Sequence, residues 1–313
     1  MSAAVDVSQA CLGLRLPATS ANLGPGFDAV AVALDFYLEI DARPAAEFSI
    51  TARGRDLDRC SCLQDNLVLE VYKGLLRREG RPIVPLAIQM FNGIPLGMGC
   101  GSSAAGRLAA IALAVHYGRL GWDTARVLSE AHALEGHPDN VAACWLGGFV
   151  AAACSASSIE YLRTVPPPEW RAIIVLPVEP LATSKARAVL PECYSLADAV
   201  SNIQSVALLS GAFAQGRADL LALAMRDRIH QPYRASICPL LPLVLPLVGS
   251  NGIAGAALSG AGPAVLVVVE SPDRLETAKA AIRTALTGQP QAELLTCAFS
   301  AAGTSQSVRP HAC

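Results

Sequence analysis

Apolar residues recur along the chain with two different spacings, and each spacing predicts its own kind of element. Positions 67, 68, 71, 75 and 76 recur at the interval of an amphipathic helix, so a helix is predicted over residues 66–79 with Asn66 as its cap. The alanine-rich stretch 102–117 predicts a second helix directly after a run of glycines. Further helices are predicted at 124–134, 196–215, 219–226, 239–249 and 273–286.

Strands are predicted where short runs of β-branched and large apolar residues lie between turn-forming residues. The segments 12–16 and 29–41 are two such runs, and the glycine, proline, asparagine and serine between them predict a loop. The others are 47–52, 83–90, 147–153, 171–176, 253–258, 264–270 and 292–300. The resulting order of elements in the C-terminal half fits an α+β sandwich.

A proline-rich connection at 166–168 is the best candidate for a domain boundary. It divides the chain into a predicted N-terminal domain, residues 1–165, and a predicted C-terminal domain, residues 166–313. A chain of this length is expected to form either one large domain or two closely packed ones.

The composition predicts an ordered protein that does not enter a membrane. Hydrophobic residues make up 52% of the 313 positions, the mean hydropathy is +0.40 and 16% of residues are charged. The longest apolar stretch, 237–248, is interrupted by three prolines. A net charge of −2 produces no field that would attract nucleic acid. Because residues 1–10 lack the charged start and apolar run of a secretory signal, a cytoplasmic location is expected.

The strongest chemical signal is a glycine-rich loop that leads directly into the helix predicted at 102–117. Its residues are Pro95, Leu96, Gly97, Met98, Gly99, Cys100, Gly101, Ser102 and Ser103. Glycine lets backbone N–H groups approach an anion closely, and a helix start adds unpaired N–H donors. A Walker A loop would need a lysine where Gly101 stands, and a dinucleotide fingerprint would need another glycine spacing. The loop is therefore predicted to bind the phosphates of ATP.

A hydroxyl at this helix start is a candidate ligand for Mg²⁺, which prefers oxygen ligands and accompanies phosphates. Ser103 or Ser102 offers the hydroxyl, and Glu135 or Glu130 offers the nearest downstream carboxylate. We take Ser103 and Glu135 as the predicted metal-binding pair.

With these residues assigned, the chain resembles the GHMP small-molecule kinases and, within them, the homoserine kinases. Residues 95–105 match the family's ATP loop, except that Cys100 replaces the usual leucine. Further matched segments follow in the family's order at 17–28, 135–142, 183–187 with 190–191, 227–234 and 258–263. The resemblance implies a GHMP kinase fold with a ribosomal-S5-like N-terminal domain and a ferredoxin-like C-terminal domain. It also implies a homodimer.

The same resemblance implies that the substrate is L-homoserine, whose phosphorylation by ATP is a step of threonine biosynthesis. A free amino acid carries a carboxylate and an ammonium group, so its pocket needs charges of both signs. Arg187 and Arg234, with Thr183, are expected to bind the carboxylate, and Asp28 with Asn22 to hold the ammonium. The implied substrate residues are Asn22, Asp28, His137, Asn140, Thr183, Arg187, Arg234 and Gly260.

Asn140 and Ser103 are the predicted catalytic residues. An asparagine cannot take a proton at neutral pH, so Asn140 is expected to align the substrate hydroxyl rather than to act as a base. Phosphoryl transfer tolerates this arrangement because it depends mainly on alignment and charge neutralisation.

Two other functions compete with this prediction. A related kinase acting on mevalonate, another isoprenoid precursor or a sugar would share the glycine loop, but mevalonate has no ammonium group for Asp28 and Asn22 to hold. A protein of this fold that only senses a nucleotide or an amino acid would bind without phosphoryl transfer.

Overall fold

A computed structural model describes residues 10–155, 158–289 and 291–309. Most of the segment used to judge a secretory signal, residues 1–9, lies outside this range. In the part of the chain that the structure describes, no helix combines the length and apolar character needed to cross a bilayer.

The chain alternates between strands and helices of very different lengths. The strands are β1 (Cys11–Asn22), β2 (Gly26–Pro44), β3 (Ser49–Gly54), β4 (Leu86–Asn92), β5 (Phe149–Cys154), β6 (Ile159–Thr164), β7 (Arg171–Leu176), β8 (Ile253–Leu258), β9 (Val265–Val269), β10 (Glu293–Ala298) and β11 (Ser305–Arg309). The helices are α1 (Leu57–Ser61), α2 (Leu67–Arg78), α3 (Ser102–Tyr117), α4 (Thr124–Glu135), α5 (Asp139–Leu146), α6 (Thr183–Ala188), α7 (Leu196–Gln215), α8 (Leu221–Ala224), α9 (Gln231–Arg234), α10 (Leu241–Val244) and α11 (Leu275–Ala285).

The first sheet has seven strands and is organised around β2. Its main order is β11-β1-β2-β4-β3, while β5 pairs with β2 and β6 pairs with β5. At 19 residues, β2 is long enough to pair with β1 along most of its length and with β4 and β5 at opposite ends. Helix α3 packs against this sheet and between α2 and α4, which explains why its sequence is apolar on nearly every side.

The second sheet has four strands in the order β10-β7-β9-β8, and its two central strands are buried on both faces. Along β7, Ile173 and Val175 pack with α10 and α11, while Ala172 and Ile174 belong to the main core with α7 and α8. The alternation of strand side chains therefore joins the two layers of helices through one sheet. This mixture of sheets and helices confirms the predicted α+β class.

Most predicted elements are present, and three expectations were wrong in a way that has a local cause. The loop predicted between 16 and 29 is mostly strand, because Thr19 and Ser20 pair with β2 through their backbones while their hydroxyls bond Asn140 in α5 and Ser259 in the turn after β8. The helices predicted at 219–226 and 239–249 are present but shorter: α8 and α10 have four residues each, and 3₁₀ turns at 218–220 and 245–247 adjoin them. Pro242 lies in the first turn of α10, where a proline is tolerated.

Several short elements were not predicted from the sequence: α1, α5, α6, α9, β6 and β11. The last strand, β11, is exposed at every position and pairs with β1, so the final described segment belongs to the first sheet. The chain thus returns to its N-terminal sheet after completing the second one.

Three segments from distant parts of the chain are joined by hydrogen bonds. The Thr19 N–H donates to the Cys100 carbonyl at 3.1 Å, and the Gly260 N–H donates to the Ala21 carbonyl at 3.0 Å. The Ser259 hydroxyl donates to the Gly99 carbonyl at 2.7 Å. These bonds tie the end of β1, the glycine loop after β4 and the turn between β8 and β9 into one junction.

Candidate active site

A cavity of about 460 Å³ lies at this junction. Many of the residues selected from the sequence line it: Asn22, Asp28, Leu96, Gly97, Gly99, Gly101, Ser102, Ser103, Glu135, His137, Asn140, Thr183, Arg187, Arg234 and Gly260. Pro95, Met98 and Cys100 were also selected, but they do not line the cavity. The folded chain therefore brings segments from both sheets to one concave surface.

The glycine loop depends on backbone conformations that favour glycine. Gly97, Gly99 and Gly101 have φ values of 71°, 76° and 71°, in the left-handed region. A Cβ atom at Gly99 would lie 2.0 Å from the Ser259 carbonyl oxygen, and one at Gly101 would lie 1.9 Å from Thr19 Oγ1. The close packing of the three loops is thus possible only without side chains at these two positions.

The loop is held by its carbonyl groups, which leaves its N–H groups available. The Gly97 and Cys100 carbonyls accept from Leu181 and Thr19, both at 3.1 Å. Among the described residues, none of the hydrogen bonds outside the regular elements uses a backbone N–H from positions 97–103 as its donor. A series of free N–H groups at the start of α3 can bind an anion.

Cys100 is a buried filler of the loop. Its side chain is 1% exposed, and burial raises the pKa of its thiol to about 12. The thiol therefore remains protonated and shielded from solvent, so the difference from leucine at this position does not create a reactive cysteine.

Two oxygen groups stand next to each other beside the loop. The Ser103 hydroxyl donates to Glu135 Oε1 at 2.5 Å, and Arg107 forms an ion pair with the other carboxylate oxygen. The alternative carboxylate, Glu130, does not line the cavity and forms an ion pair with Arg78 at 2.6 Å. Of the two glutamates considered from the sequence, only Glu135 borders the cavity with Ser103.

Asn140 has one end of its amide fixed by a residue of β1, which is distant in the sequence. Thr19 donates its hydroxyl proton to Asn140 Oδ1 at 2.6 Å, and this bond is buried. Asp139, which is 1% exposed, accepts from the Asn140 N–H at 2.6 Å and stabilises the first turn of α5. Because Oδ1 is engaged as an acceptor, the amide NH₂ is the part of Asn140 left to contact a ligand.

His137 lies beside the same carboxylate. Its Nδ1 is 2.7 Å from Asp139 Oδ1. Burial disfavours the imidazolium, but the hydrogen bond and charge of Asp139, with the charges of Glu135 and Asp28, raise the pKa of His137 above 6.5. The three groups Asp28, His137 and Asp139 place one ligand atom each within 4.8 Å of one another, so two carboxylates and an imidazole are concentrated in this part of the cavity.

Arg234 is a buried cation without an acidic partner. The residue is 1% exposed, and no ion pair connects it to an acidic group in the described part of the chain. Its Nε donates to the Ala186 carbonyl at 2.9 Å, and its Nη1 lies 3.0 Å from His230 Nδ1. Burial and the charge of Arg187 lower the pKa of Arg234, but an arginine stays protonated at neutral pH. An uncompensated buried charge is costly, so this position favours an anionic ligand.

Arg187 and Asp28, which were assigned to opposite ends of a substrate, contact each other. Arg187 Nη2 donates to both carboxylate oxygens of Asp28 at 2.8 and 3.0 Å. The pair is partly exposed, so it contributes little to stability and its charges are available for exchange with those of a ligand. Asn22 supports Asp28, because its Oδ1 accepts from the Asp28 N–H and its Nδ2 donates to the Gly260 carbonyl.

Sequence reasoning did not single out Thr19, Phe27 or Asp139. All three lie within or beside matched motifs, but their roles depend on contacts to distant residues. The Phe27 ring centroid is 5.4 Å from the guanidinium carbons of both Arg187 and Arg234, so one aromatic ring interacts with both cations. The opposite end of the cavity is lined by the apolar residues Leu38, Leu67, Val68, Met90 and Ile94, which suit the flat face of a nucleobase.

Comparison with known proteins identifies relatives over most of the chain. The profile of the GHMP kinases N terminal domain matches residues 66–148, and that of the GHMP kinases C terminal domain matches residues 209–288. The chain is 44% identical over 267 residues to the homoserine kinase of Solibacter usitatus, covering 85% of this chain and 88% of that protein. It is 39% identical over 253 residues to the homoserine kinase of Deinococcus radiodurans, covering 81% and 82%.

The fold has a close counterpart among solved structures. The crystal structure of homoserine kinase from Cytophaga hutchinsonii matches with a TM-score of 0.81 at 24% sequence identity, over 95% of this chain and 97% of that one. Together with the two domain profiles, this match confirms the GHMP kinase fold predicted from the sequence motifs.

Proposed function

Because this chain belongs to the GHMP kinase family, we propose that it acts as a homoserine kinase, which transfers the γ-phosphoryl group of ATP to the side-chain hydroxyl of L-homoserine. The products are O-phospho-L-homoserine and ADP, and the reaction is a step of threonine biosynthesis. The resemblance also leads us to propose a homodimer in the cytoplasm, with the two domains divided near residue 165 and the last strand, β11, returning to the sheet of the first domain.

The observation that carries the proposal is that Arg234, which forms no ion pair among the described residues, borders the same cavity as the carboxylates of Asp28 and Asp139. A carboxylate bound at Arg234 would neutralise a buried guanidinium, and the carboxylates of Asp28 and Asp139 would attract an ammonium group. A small zwitterion satisfies both requirements at once. In this proposal Arg187 joins Arg234 at the carboxylate with Thr183, and its ion pair with Asp28 is exchanged for contacts to the substrate.

The free N–H groups of the glycine loop support binding of the nucleotide's phosphates. Donors held in place by the carbonyl bonds of the same loop require little reorganisation when negative charge shifts during phosphoryl transfer. The apolar end of the cavity would hold the base of ATP.

Asn140 would donate a hydrogen bond from its amide NH₂ to the hydroxyl oxygen of homoserine. Thr19 holds the amide in the required orientation, and Asp139 is engaged with the start of α5 and with His137. The reaction would therefore rely on alignment, with the hydroxyl proton leaving late to phosphate or water. No side chain needs to act as a general base in this scheme.

Ser103 and Glu135 fit the oxygen chemistry of Mg²⁺, since both border the cavity and their oxygen atoms are in direct contact. When bound there with ATP, Mg²⁺ would neutralise charge on the phosphates. Arg107 holds the second carboxylate oxygen of Glu135, which limits the directions in which this ligand can turn.

Release of ADP in the presence of different acceptors tests the proposed function. We expect turnover with Mg-ATP and L-homoserine, and turnover lower by about 100-fold or more with mevalonate or galactose, because neither matches the paired charges of the cavity. Preference for mevalonate or galactose would assign the protein to another kinase of the family. Binding of nucleotide without ADP release from any acceptor would favour a sensor.

Replacing Ser103 with alanine is expected to raise about tenfold the Mg²⁺ concentration needed for half-maximal velocity, because one oxygen ligand is lost. The measurement is a titration of Mg²⁺ at fixed ATP. Ser102→Ala is the matched control, since Ser102 also borders the loop but has no contact with Glu135. If only Ser102→Ala changed the titration, the ligand would be Ser102.

Replacing Asn140 with alanine is expected to lower kcat about 100-fold with a small change in the KM for homoserine, because the alignment of the hydroxyl is lost. Thr19→Val tests the support of this residue, since it removes the hydroxyl bonded to Asn140 but keeps a similar side-chain shape. It should lower kcat less than Asn140→Ala does. An unchanged kcat in Asn140→Ala would contradict the assignment.

A further inference from the structure

His230 is fully buried between the turn after β1 and the guanidinium of Arg234. We propose that His230 is a positioning residue that sets the plane of the Arg234 guanidinium for binding the substrate carboxylate. The proposal rests on the proposed function, because it takes Arg234 as the carboxylate-binding group.

The two hydrogen bonds of His230 define its protonation state without ambiguity. His230 Nε2 is 2.8 Å from the Gly24 carbonyl oxygen, which only accepts, so Nε2 carries the proton. His230 Nδ1 is 3.0 Å from Arg234 Nη1, which only donates, so Nδ1 is the acceptor. The ring is therefore neutral, with its proton on Nε2. Burial also lowers the pKa of His230, in agreement with this state.

This arrangement leaves one side of the guanidinium for a ligand. The bonds from Nε to Ala186 and from Nη1 to His230 hold two nitrogens of the planar group. Arg234 Nη2 makes no hydrogen bond to any of the described residues, and Arg234 borders the cavity. Two fixed nitrogens determine the plane, so the direction of the remaining N–H groups is set before a carboxylate arrives.

The histidine itself is held by the chain around it. The Asp227 carboxylate accepts from the N–H groups of Ile229, His230 and Gln231 at 2.9, 3.0 and 2.6 Å. The Gln231 side chain accepts from the Leu258 N–H at 2.7 Å, and this attaches the segment to β8. Asp227 Oδ2 is 3.6 Å from His230 Nε2, which is farther than the Gly24 carbonyl, so the ring bonds to the β1–β2 turn. His230 thereby connects Arg234 to the turn that carries Asn22 and Asp28.

The two ring nitrogens can be tested separately with amide side chains of different length. His230→Gln places an amide near Nε2, so it keeps a donor for Gly24 and loses the acceptor for Arg234. His230→Asn places an amide near Nδ1, so it keeps an acceptor for Arg234 and loses the donor to Gly24. His230→Phe keeps the ring shape and loses both bonds.

We expect His230→Gln and His230→Phe to raise the KM for L-homoserine about tenfold, and His230→Asn to raise it less than about threefold. The KM for ATP and kcat should change less than about twofold in all three. A second substrate, 3-aminopropan-1-ol, lacks the carboxylate of homoserine. The wild type and His230→Gln should phosphorylate it at equal rates, because the effect of the substitution requires a carboxylate. If His230 had a purely structural role, the substitution would impair phosphorylation of both substrates to the same extent.

The outcomes separate the inference from the function on which it rests. Suppose that the wild type phosphorylates L-homoserine, and that His230→Gln and His230→Phe are folded and have a KM for L-homoserine within twofold of the wild-type value. The inference alone would then be overturned. The same conclusion would follow if His230→Asn and His230→Gln raised the KM for L-homoserine equally. It would also follow if His230→Gln phosphorylated 3-aminopropan-1-ol more slowly than the wild type. If the wild type did not phosphorylate L-homoserine, the proposed function and this inference would fall together. Thermal unfolding and the KM for ATP verify that each variant is folded.

Discussion

Arg234→Met is expected to raise the KM for L-homoserine about 100-fold, equivalent to about 3 kcal/mol of binding free energy. The guanidinium is buried and has no acidic partner among the described residues, so a substrate carboxylate would gain most of its binding from this group. Methionine fills a similar volume without charge. The loss should appear in KM, measured at saturating Mg-ATP, while kcat at saturating homoserine changes less than about fivefold.

Arg234→Lys serves as the matched control because it keeps the charge but loses the planar fork of donors. Its KM is expected to lie between those of the wild type and Arg234→Met. The KM for ATP should be unchanged in both variants, since Arg234 lies away from the glycine loop's hydrogen bonds. A homoserine KM that stays at the wild-type value in folded Arg234→Met would remove the carboxylate assignment.

Gly101→Ala is expected to lower kcat/KM for ATP about 100-fold or more. The new Cβ would lie 1.9 Å from Thr19 Oγ1, so the loop or β1 must shift, and a displacement of about 1 Å near the reacting groups costs about 100-fold in rate. Because Thr19 also bonds to Asn140, the shift would disturb both the phosphate loop and the group that aligns the acceptor hydroxyl. Steady-state kinetics with varied ATP measure the effect.

Gly97→Ala separates steric conflict from backbone strain. Gly97 and Gly101 share a φ of 71°, so alanine imposes the same left-handed strain at both, about 1–2 kcal/mol. At Gly97, however, the nearest atom to a Cβ would be Pro180 Cβ at 3.1 Å, a contact that a small movement relieves. Gly97→Ala should therefore lower kcat/KM for ATP by about tenfold or less. An equal decrease in kcat/KM for the two variants would mean that backbone strain, and not the contact with Thr19, causes the loss of activity.

Elements with a complete local pattern were predicted well. The predicted bounds of α3, β7, α7 and β8 coincide with the observed ones, and Asn66 accepts from the Val68 and Leu69 N–H groups as a helix cap should. In each case the information lies in consecutive residues: a cap, a repeat of apolar positions, or a short β-branched run between turns.

Elements whose stability comes from a partner were missed. The edge strand β11 is mostly polar and exposed, and its extended conformation depends on its pairing with β1. Helix α5 is buried on most of its faces, so it lacks the polar stripe that marks an amphipathic helix. Helices α8 and α10 are shorter than predicted, because a run of apolar residues does not show where a helix begins and ends.

The sequence by itself determined the glycine loop, the helix that follows it and the charged and polar residues available for an amino acid substrate. These follow from local rules: glycine adopts left-handed conformations, and a helix start exposes N–H groups. The tertiary structure decided which charges meet. Arg187 pairs with Asp28 across 159 residues, Thr19 orients Asn140 across 121, and Arg234 becomes a buried cation beside a histidine. Burial and charge neighbours depend on segments far apart in the chain, so no local pattern specifies them.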